Sequence, residues 1–475
     1  MIDIRFATRL RLPLIVCSVL LTLAWGLRRL QDTLTLADDD ATNPYTLSLA
    51  LLFAMFAGQL WLAWREKPYT VSAKDEPRIG RLTVCLNLPV YNEDPELLDR
   101  VLASIFAQTR LPDRVELVDD GSKVDYSAVR ARWTARVPQG VEFSWIRTEN
   151  RGKRHAQMTT FARAREDILV TIDSDTILHR DAIREGLKPF VDPRVKSVAG
   201  LVLALNKHTN MLTRVQDLVV TTWQLTLRSA YSMLRSVTVN SGPFALYRGD
   251  VIRQAADGYL NEEIAGRPVQ FSDDSLLTLY ALMRGRTVQQ PSAIAFSAWP
   301  ETLSHHFRQQ VRWTRGSFIR SIWRLRYLPL RGVAFWLHLV GHAQFLASTV
   351  MLVFIFVIRP QIGLHHVAPM LAIAMLLSYA TTVRTLTVRR SDETLGQQLG
   401  VYALSPLVVL WALLVYRPLR LFGMVSCLRT GWGTRQTVET PTRPSTRTAI
   451  PVQPPATLTF AETRQTAQEA ELVAV

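Results

Sequence analysis

Five apolar runs gathered near the two ends of the chain most constrain what it can fold into. Residues 12–27 and 45–64 carry no charged side chain, and the pattern resumes at 333–358, 368–383 and 399–416. Crossing the hydrocarbon core of a bilayer takes roughly 20 apolar residues. The chain therefore reads as a bundle of α-helical transmembrane segments that holds a mixed, charge-bearing domain, residues 82–305, between its N-terminal and C-terminal parts.

A cleaved signal peptide competes for the first run, but "GLRRLQDTL" follows it in place of a small-residue cleavage site. Arg5, Arg9 and Arg11 precede that run and Asp38, Asp39 and Asp40 follow it, so the bias of basic residues toward the cytoplasm places the N-terminus inside. Two helices later the central domain is inside too. The expected location is the plasma membrane, with several passes. The net charge of +15 comes without zinc-finger spacing or an aromatic RNA-binding signature. No nucleic-acid partner is expected, and the basic residues suit membrane lipids or anionic substrates. Three scattered cysteines, Cys17, Cys85 and Cys427, build neither a disulfide framework nor a metal cluster. Residues 437–475, rich in Pro and Thr, read as a disordered tail.

Within the central domain, strand-like runs alternate with helical patterns. "RLTVCLNLPVYNE" reads as a strand that breaks at Pro89, residues 95–109 as a helix, "RVELVDDGS" as a second strand, and 143–146 as a third. A loop and helix in "TENRGKRHAQMTTFARAR" lead to "DILVTIDSDT". That alternation describes a mostly parallel sheet covered by helices, whose ligands bind at the carboxyl ends of the strands. Asn92 and Glu93, Asp120, and Asp173 with Asp175 then meet at one crevice.

Two carboxylates separated by one residue suit a hard divalent cation, Mg2+ or Mn2+, which neutralises a diphosphate leaving group. Taken alone, Asp173 and Asp175 also fit a cap or a solvated turn. Lys153 and Arg154 add fixed positive charge beside them, and Asp120 suits a nucleobase or ribose. Asp273 and Asp274 open a helix, where capping explains one carboxylate. Residues 306–331 form a basic amphipathic stretch with Trp313 and Trp323, in keeping with a helix at a membrane surface.

The ordered series "PVYNE", "DDGS", "DSDT", "SGPFALYR", "SDDSLLT", "QQVRW" and "GWGTR" resembles the processive membrane glycosyltransferases of family 2, hyaluronan synthases and their chitin and nodulation chitooligosaccharide relatives. The resemblance implies a cytosolic nucleotide-sugar-binding domain of the GT-A type that polymerises UDP-sugars and passes the growing polysaccharide through the membrane. On the matching positions it implies that Glu93, Asp120, Lys153 and Asp173 serve the UDP-sugar, Asp173 and Asp175 the metal, and Asp274 the deprotonation of the acceptor hydroxyl. It further implies that Gln309, Arg312 and Trp313 close the acceptor site beside Asp273 and reach the diphosphate. Trp432 and Arg435, in the loop 429–436, would gate the nucleotide pocket.

Ser275 stands where many hyaluronan synthases have arginine, and Asn240 where a cysteine is common, so the polymer stays open between hyaluronan, made from UDP-N-acetylglucosamine and UDP-glucuronate, and chitin or another β-glycan. A single-transfer enzyme acting on a lipid and a nucleotide-binding transporter are the competing readings. Three full spans after the central domain would leave Trp432 on the wrong side, so residues 399–428 are expected to form a hairpin bent near Arg417 and Pro418.

Overall fold

The computed structural model describes residues 2, 4–6, 44–353, 357 and 360–430. The first apolar run, the 431–436 loop and the Pro- and Thr-rich tail lie outside them. The described strands are β1 (Ile4–Phe6), β2 (Val84–Val90), β3 (Arg114–Asp119), β4 (Glu142–Arg147), β5 (Ile168–Ile172), β6 (Thr176–Leu178), β7 (Val195–Ala204), β8 (Phe244–Arg248), β9 (Glu263–Ile264), β10 (Arg267–Pro268), β11 (Arg286–Ser297) and β12 (Val388–Arg390). Eight of them form one sheet in the order β4-β3-β2-β5-β8-β7-β11-β6. β2 pairs in parallel with β3 and β5, and β3 with β4. β8 runs antiparallel to both β5 and β7, and β6 antiparallel to β11. The sheet is mixed, of the GT-A-like kind, with its parallel block where the sequence places the crevice.

All seven residues of β2 and all five of β5 are buried, as an apolar run covered on both faces must be. The Pro95–Phe106 helix starts where Asp94 caps Glu96 N and buries Leu97, Leu98, Val101, Leu102 and Ile105 on the sheet. Each such side chain contributes about 1.5–3 kcal/mol of burial. β2 does not break at Pro89. That residue pairs with Val118 of β3, while the β5 ladder reaches only Asn87, so an absent N–H on that side breaks no bond.

Beyond the sheet, helices span Pro44–Arg65, Leu303–Tyr327, Val333–Val353 and Pro360–Thr382. The last begins before the expected residue 368 and carries Pro369 inside it. Among the described residues, Val333–Val350 and Leu395–Val425 are long and apolar enough to cross a membrane by length and composition.

The expected hairpin near Arg417 is not formed. Helices Leu395–Ala403 and Ser405–Trp411, a π turn at Ala412–Tyr416 and a helix at Arg417–Val425 follow one another without a reversing loop. Pro418 lies within the first two positions of its helix, directly after the π turn, where a missing N–H is absorbed. The run also begins and ends on the sheet-bearing part. Lys207 Nζ holds Glu393 Oε1 at 2.9 Å just before it. Gln270 N donates to Thr430 O at 3.2 Å just after it. Between those points His306 packs on Trp411 and Tyr416, Thr314 meets Gly423, and Arg315 Nε donates to Ser426 Oγ at 2.9 Å. The run thus follows the Leu303–Tyr327 helix in the same direction and needs no reversal to bring residue 430 beside the site.

Candidate active site

The polar ends of β2, β3 and β5 meet as expected. After β5 the chain turns at Asp173–Thr176, with Thr176 N donating to Asp173 O at 3.1 Å, and leaves as β6 for the far edge of the sheet. Ser174, between the two carboxylates, donates its Oγ to Glu93 Oε2 at 2.7 Å. Glu93 therefore positions this turn. Asn92 adopts a left-handed φ of 47°, which asparagine tolerates, and its Oδ1 accepts from Lys123 N at 2.8 Å. That bond ties the end of β2 to the turn after β3.

Asp120 accepts from Arg151 N at 3.0 Å and Gly152 N at 2.9 Å, so its carboxylate holds the loop that introduces Lys153. Burial pushes its carboxyl above the ordinary value, against the pull of those two donors. A nucleobase or ribose at Asp120 would share oxygens already engaged by backbone.

Lys153 begins the Lys153–Arg163 helix, after Gly152 at a φ of 95°. Its ammonium bridges two carboxylates, Asp173 Oδ1 at 2.7 Å and Asp273 Oδ2 at 2.8 Å. Burial disfavours the charge, but the two anions outweigh it and raise the Lys153 pKa above the ordinary range. Asp273, expected beside the acceptor, is a partner of Lys153 here. Burial opposes its charge too, and Lys153 holds its carboxyl below the ordinary value. The next carboxyl, Asp274, goes the other way: burial, then the charge of Asp273, push it up. Asp274 Oδ1 accepts from Ser275 N at 2.7 Å.

Gly242 lies between Asp173 and Asp274. A Cβ there would lie 3.4 Å from Asp173 Oδ2 and 3.7 Å from Asp274 Oδ2, so both oxygens face the same small space. Asp175 accepts from Ser297 Oγ at 3.2 Å and Thr176 Oγ1 at 3.3 Å. Among the described residues no three His, Cys, Asp or Glu side chains cluster for a metal. Asp173 and Asp175 nevertheless fit a Mg2+ or Mn2+ ion that takes few protein carboxylates and completes its shell with water and phosphate oxygens.

Gln309, Arg312 and Trp313 lie on the Leu303–Tyr327 helix. Gln309 Oε1 is buried without a hydrogen-bond partner, and Trp313 is 43 % exposed. Three residues on, Gly316 lets this helix rest on the segment that carries Asp274: a Cβ there would come within 2.6 Å of Ser272 Cβ. Ser272 holds a left-handed φ of 62°, a conformation that costs about 1–3 kcal/mol for a residue with a side chain. Trp432 and Arg435 lie outside the described residues, although the bond from Gln270 N to Thr430 O ends two residues from Ser272.

Sequence reasoning missed a second ionic cluster. Glu262 accepts from Arg154 NH2 at 2.7 Å, Arg320 NH2 at 3.1 Å and Trp323 Nε1 at 2.7 Å, and also pairs with Arg320 NH1. Arg320 donates further to Ser275 Oγ at 3.2 Å and Ser272 O at 3.3 Å. The spacing Gly316, Arg320, Trp323 marks one helix face, but its acidic partner, 58 residues away, carries no local signal.

The family described as "Glycosyl transferase family 2" matches residues 85–255. Hyaluronan synthase of Streptococcus pyogenes is 32 % identical over 357 residues, 74 % of this chain and 83 % of that protein. An N-acetylglucosaminyltransferase of Rhizobium sp. (strain N33) is 29 % identical over 397 residues, 82 % of this chain and 86 % of that protein. Among solved structures, a mannosyltransferase from Pyrobaculum calidifontis in complex with GDP-Man and Mn2+ is 21 % identical with a TM-score of 0.45, covering 80 % of this chain and 95 % of that one. The sequence matches, extending over most of both chains, establish that this chain belongs to the family 2 glycosyltransferases, as a hyaluronan synthase-like member.

Proposed function

We propose that the chain is a processive, inverting synthase that polymerises UDP-sugars into a β-linked polysaccharide and extrudes it through the membrane. The leading product is hyaluronan, from UDP-N-acetylglucosamine and UDP-glucuronate, with chitin or another β-glycan as the alternative. One observation carries this reading: Asp173, Lys153, Asp273 and Asp274 form a continuous set of charges around Gly242. Donor and acceptor chemistry then share one small space.

In this reading Lys153 exchanges its carboxylate contacts for the diphosphate of the incoming donor. Asp173 and Asp175 would hold the Mg2+ or Mn2+ ion, which when bound neutralises charge on the leaving diphosphate. Asp274 accepts the proton of the acceptor hydroxyl. That oxygen bonds to the anomeric carbon as the bond from this carbon to the UDP phosphate oxygen breaks, which inverts the centre and releases UDP. A raised pKa suits Asp274 to this task, because a base is most effective when its pKa approaches the working pH. Trp313 offers an indole face to a sugar ring, and Arg312 a fork to phosphate. Trp432 and Arg435 would close over the nucleotide.

The membrane part rests on the apolar helices. Val333–Val353 and Pro360–Thr382 serve as an outgoing and a returning span, and the Leu303–Tyr327 helix and the 395–425 run lie at the membrane surface on the cytoplasmic side, against lipid. The test is to give the purified enzyme UDP-N-acetylglucosamine and UDP-glucuronate singly and together, then to digest any product with hyaluronidase or chitinase. A polymer made only from both donors and cut only by hyaluronidase supports the leading reading. A polymer made from one donor and cut by chitinase supports the alternative, and a single transferred sugar refutes processivity.

A further inference from the structure

Glu262 needs one cation and has two. Arg154 NH2 and Trp323 Nε1, each at 2.7 Å, already give its two oxygens a donor apiece. Arg320 nevertheless pairs its NH1 with Glu262 Oε1 and donates NH2 to Oε2 at 3.1 Å, and it is 0 % exposed. A buried charge beyond balance is costly, and neutralising Glu262 does not require it. The remaining donors of Arg320 end on the segment that introduces Asp274. Nε reaches Ser275 Oγ at 3.2 Å and NH2 reaches Ser272 O at 3.3 Å. Arg154 NH2 holds the preceding carbonyl, Phe271 O, at 2.6 Å.

Those carbonyls lead into the helix Asp273–Arg284, which starts from Ser272 at φ 62° and ψ 43° without a capping bond from the serine side chain. Serine has no preference for the left-handed region, and a strained residue keeps such a conformation only where its surroundings over-determine it. Arg320 on Ser272 O, Ser275 Oγ at 2.6 Å from Ser272 Oγ, and the close approach of Gly316 to Ser272 Cβ supply that constraint. Its effect falls on the two carboxylates that follow. Consecutive helical residues point about 100° apart, so the phase at which the helix starts is what turns one carboxylate away from the other. Asp273 meets Lys153, and Asp274 Oδ2 faces the space at Gly242.

The helix Leu303–Tyr327 carries Gln309, Trp313, Gly316, Arg320 and Trp323 at alternating steps of four and three residues, so they form one stripe along it. We infer that Arg320 is a positioning residue: from the helix that presents Gln309 and Trp313 it grips Ser272 O and Ser275 Oγ, and so fixes the bearing of Asp274 on an acceptor sugar lying against Trp313. The inference rests on the proposed role of Asp274 as base and deepens it, since acceptor and base are then aligned by one element, where small misplacements are expensive in rate. A guanidinium suits the task because its rigid fork serves Glu262 and the two serines together, which the point charge of a lysine does not.

The test uses full-length protein in nanodiscs, with UDP release from UDP-N-acetylglucosamine and UDP-glucuronate supplied together as the rate, counted per folded molecule, and UDP affinity measured by calorimetry. Arg320→Lys keeps a charge opposite Glu262, and Ser275→Ala leaves Arg320 and Glu262 paired. Each should lower kcat about tenfold while KM and UDP affinity stay within about twofold of the wild type. Introduced into Asp274→Asn, neither should lower the residual rate further, because both act through that carboxylate. An unchanged kcat in both variants, or a loss confined to the yield of folded protein, makes Arg320 a fastener only and overturns the inference. So does a raised KM at constant kcat, or an equal loss in the Asp274→Asn background; either leaves Asp274 as the base and places the effect of Arg320 elsewhere. Full turnover by Asp274→Asn alone, with kcat still reduced in Arg320→Lys, refutes the base rather than the grip of Arg320 on its segment.

Discussion

Lys153 and Arg154 are neighbours in sequence and anchor two ionic clusters of opposite balance. Around Lys153, one ammonium faces two carboxylates, with side-chain exposures of 20 % for Lys153, 29 % for Asp173 and 7 % for Asp273. Around Glu262, one carboxylate faces two guanidinium groups, with exposures of 5 % for Arg154, 5 % for Glu262 and 0 % for Arg320. The first cluster is short of positive charge and open to exchange, as the proposed site for a cation and a diphosphate requires. The second is closed, and its carboxylate is saturated by donors from two helices. Two ion clusters can share the same pairing geometry, and access with charge balance separates the exchangeable one from the fastener.

The largest effect is expected at Asp274, the proposed base beside the first cluster. Asp274→Asn should lower kcat by about 10²–10⁴-fold while leaving UDP binding nearly unchanged, measured as UDP release against calorimetric affinity. Near-normal turnover in that variant removes Asp274 from its role.

Glu262→Ala should strand two buried guanidinium groups and cost about 3–5 kcal/mol of stability, read as a lowered unfolding temperature. Burial opposes the Glu262 charge, yet Arg320 and Arg154 hold its carboxyl below the ordinary value. The stability it contributes is therefore complete above the ordinary carboxylate pKa and is lost as pH falls through the depressed value.

Lys153→Met is expected to divide its effect differently from Glu262→Ala. It should weaken UDP-sugar binding about 10–100-fold, the worth of a hydrogen bond to a charged group, and lower the unfolding temperature less than Glu262→Ala does, because Asp173 at 29 % exposure keeps its water. An equally large stability loss in both variants would erase the distinction between the clusters. In the same assay Asp175→Ala should make nucleotide affinity independent of added Mg2+ or Mn2+.

The smallest effect is in pH. Because the folded Asp274 carboxyl lies above its ordinary value, the rate should climb with pH through a midpoint higher than an ordinary carboxylate and then level off. A profile flat down to the ordinary range would show that the base is not the raised carboxyl.

What the sequence made legible follows from range. Asp173, Asp175 and Asp120 sit at strand ends, and alternating strands and helices bring strand ends together whatever the details between them. Asp273 was legible as a helix-start residue but not as a partner of Lys153, since that bond joins residues 120 positions apart through the fold. Both proline readings failed for one reason. Pro89 and Pro418 read as breaks, yet each occupies a place where its missing N–H has no ladder partner to lose, beyond the β5 pairing in one case and directly after a π turn in the other. The Gly316 contact was invisible because a glycine inside a helix announces nothing until the neighbouring Ser272 is in place.

The helical run from residue 395 to 425, held by Glu393 at one end and Thr430 at the other, acts as a keyed shaft. One residue added within it would advance everything beyond by about 1.5 Å and turn it by about 100°. Thr430, which now accepts from Gln270 N two positions before Ser272, would then be carried off that partner. Phase along this shaft, as much as the identity of its side chains, sets where the chain arrives beside Ser272 and Asp274.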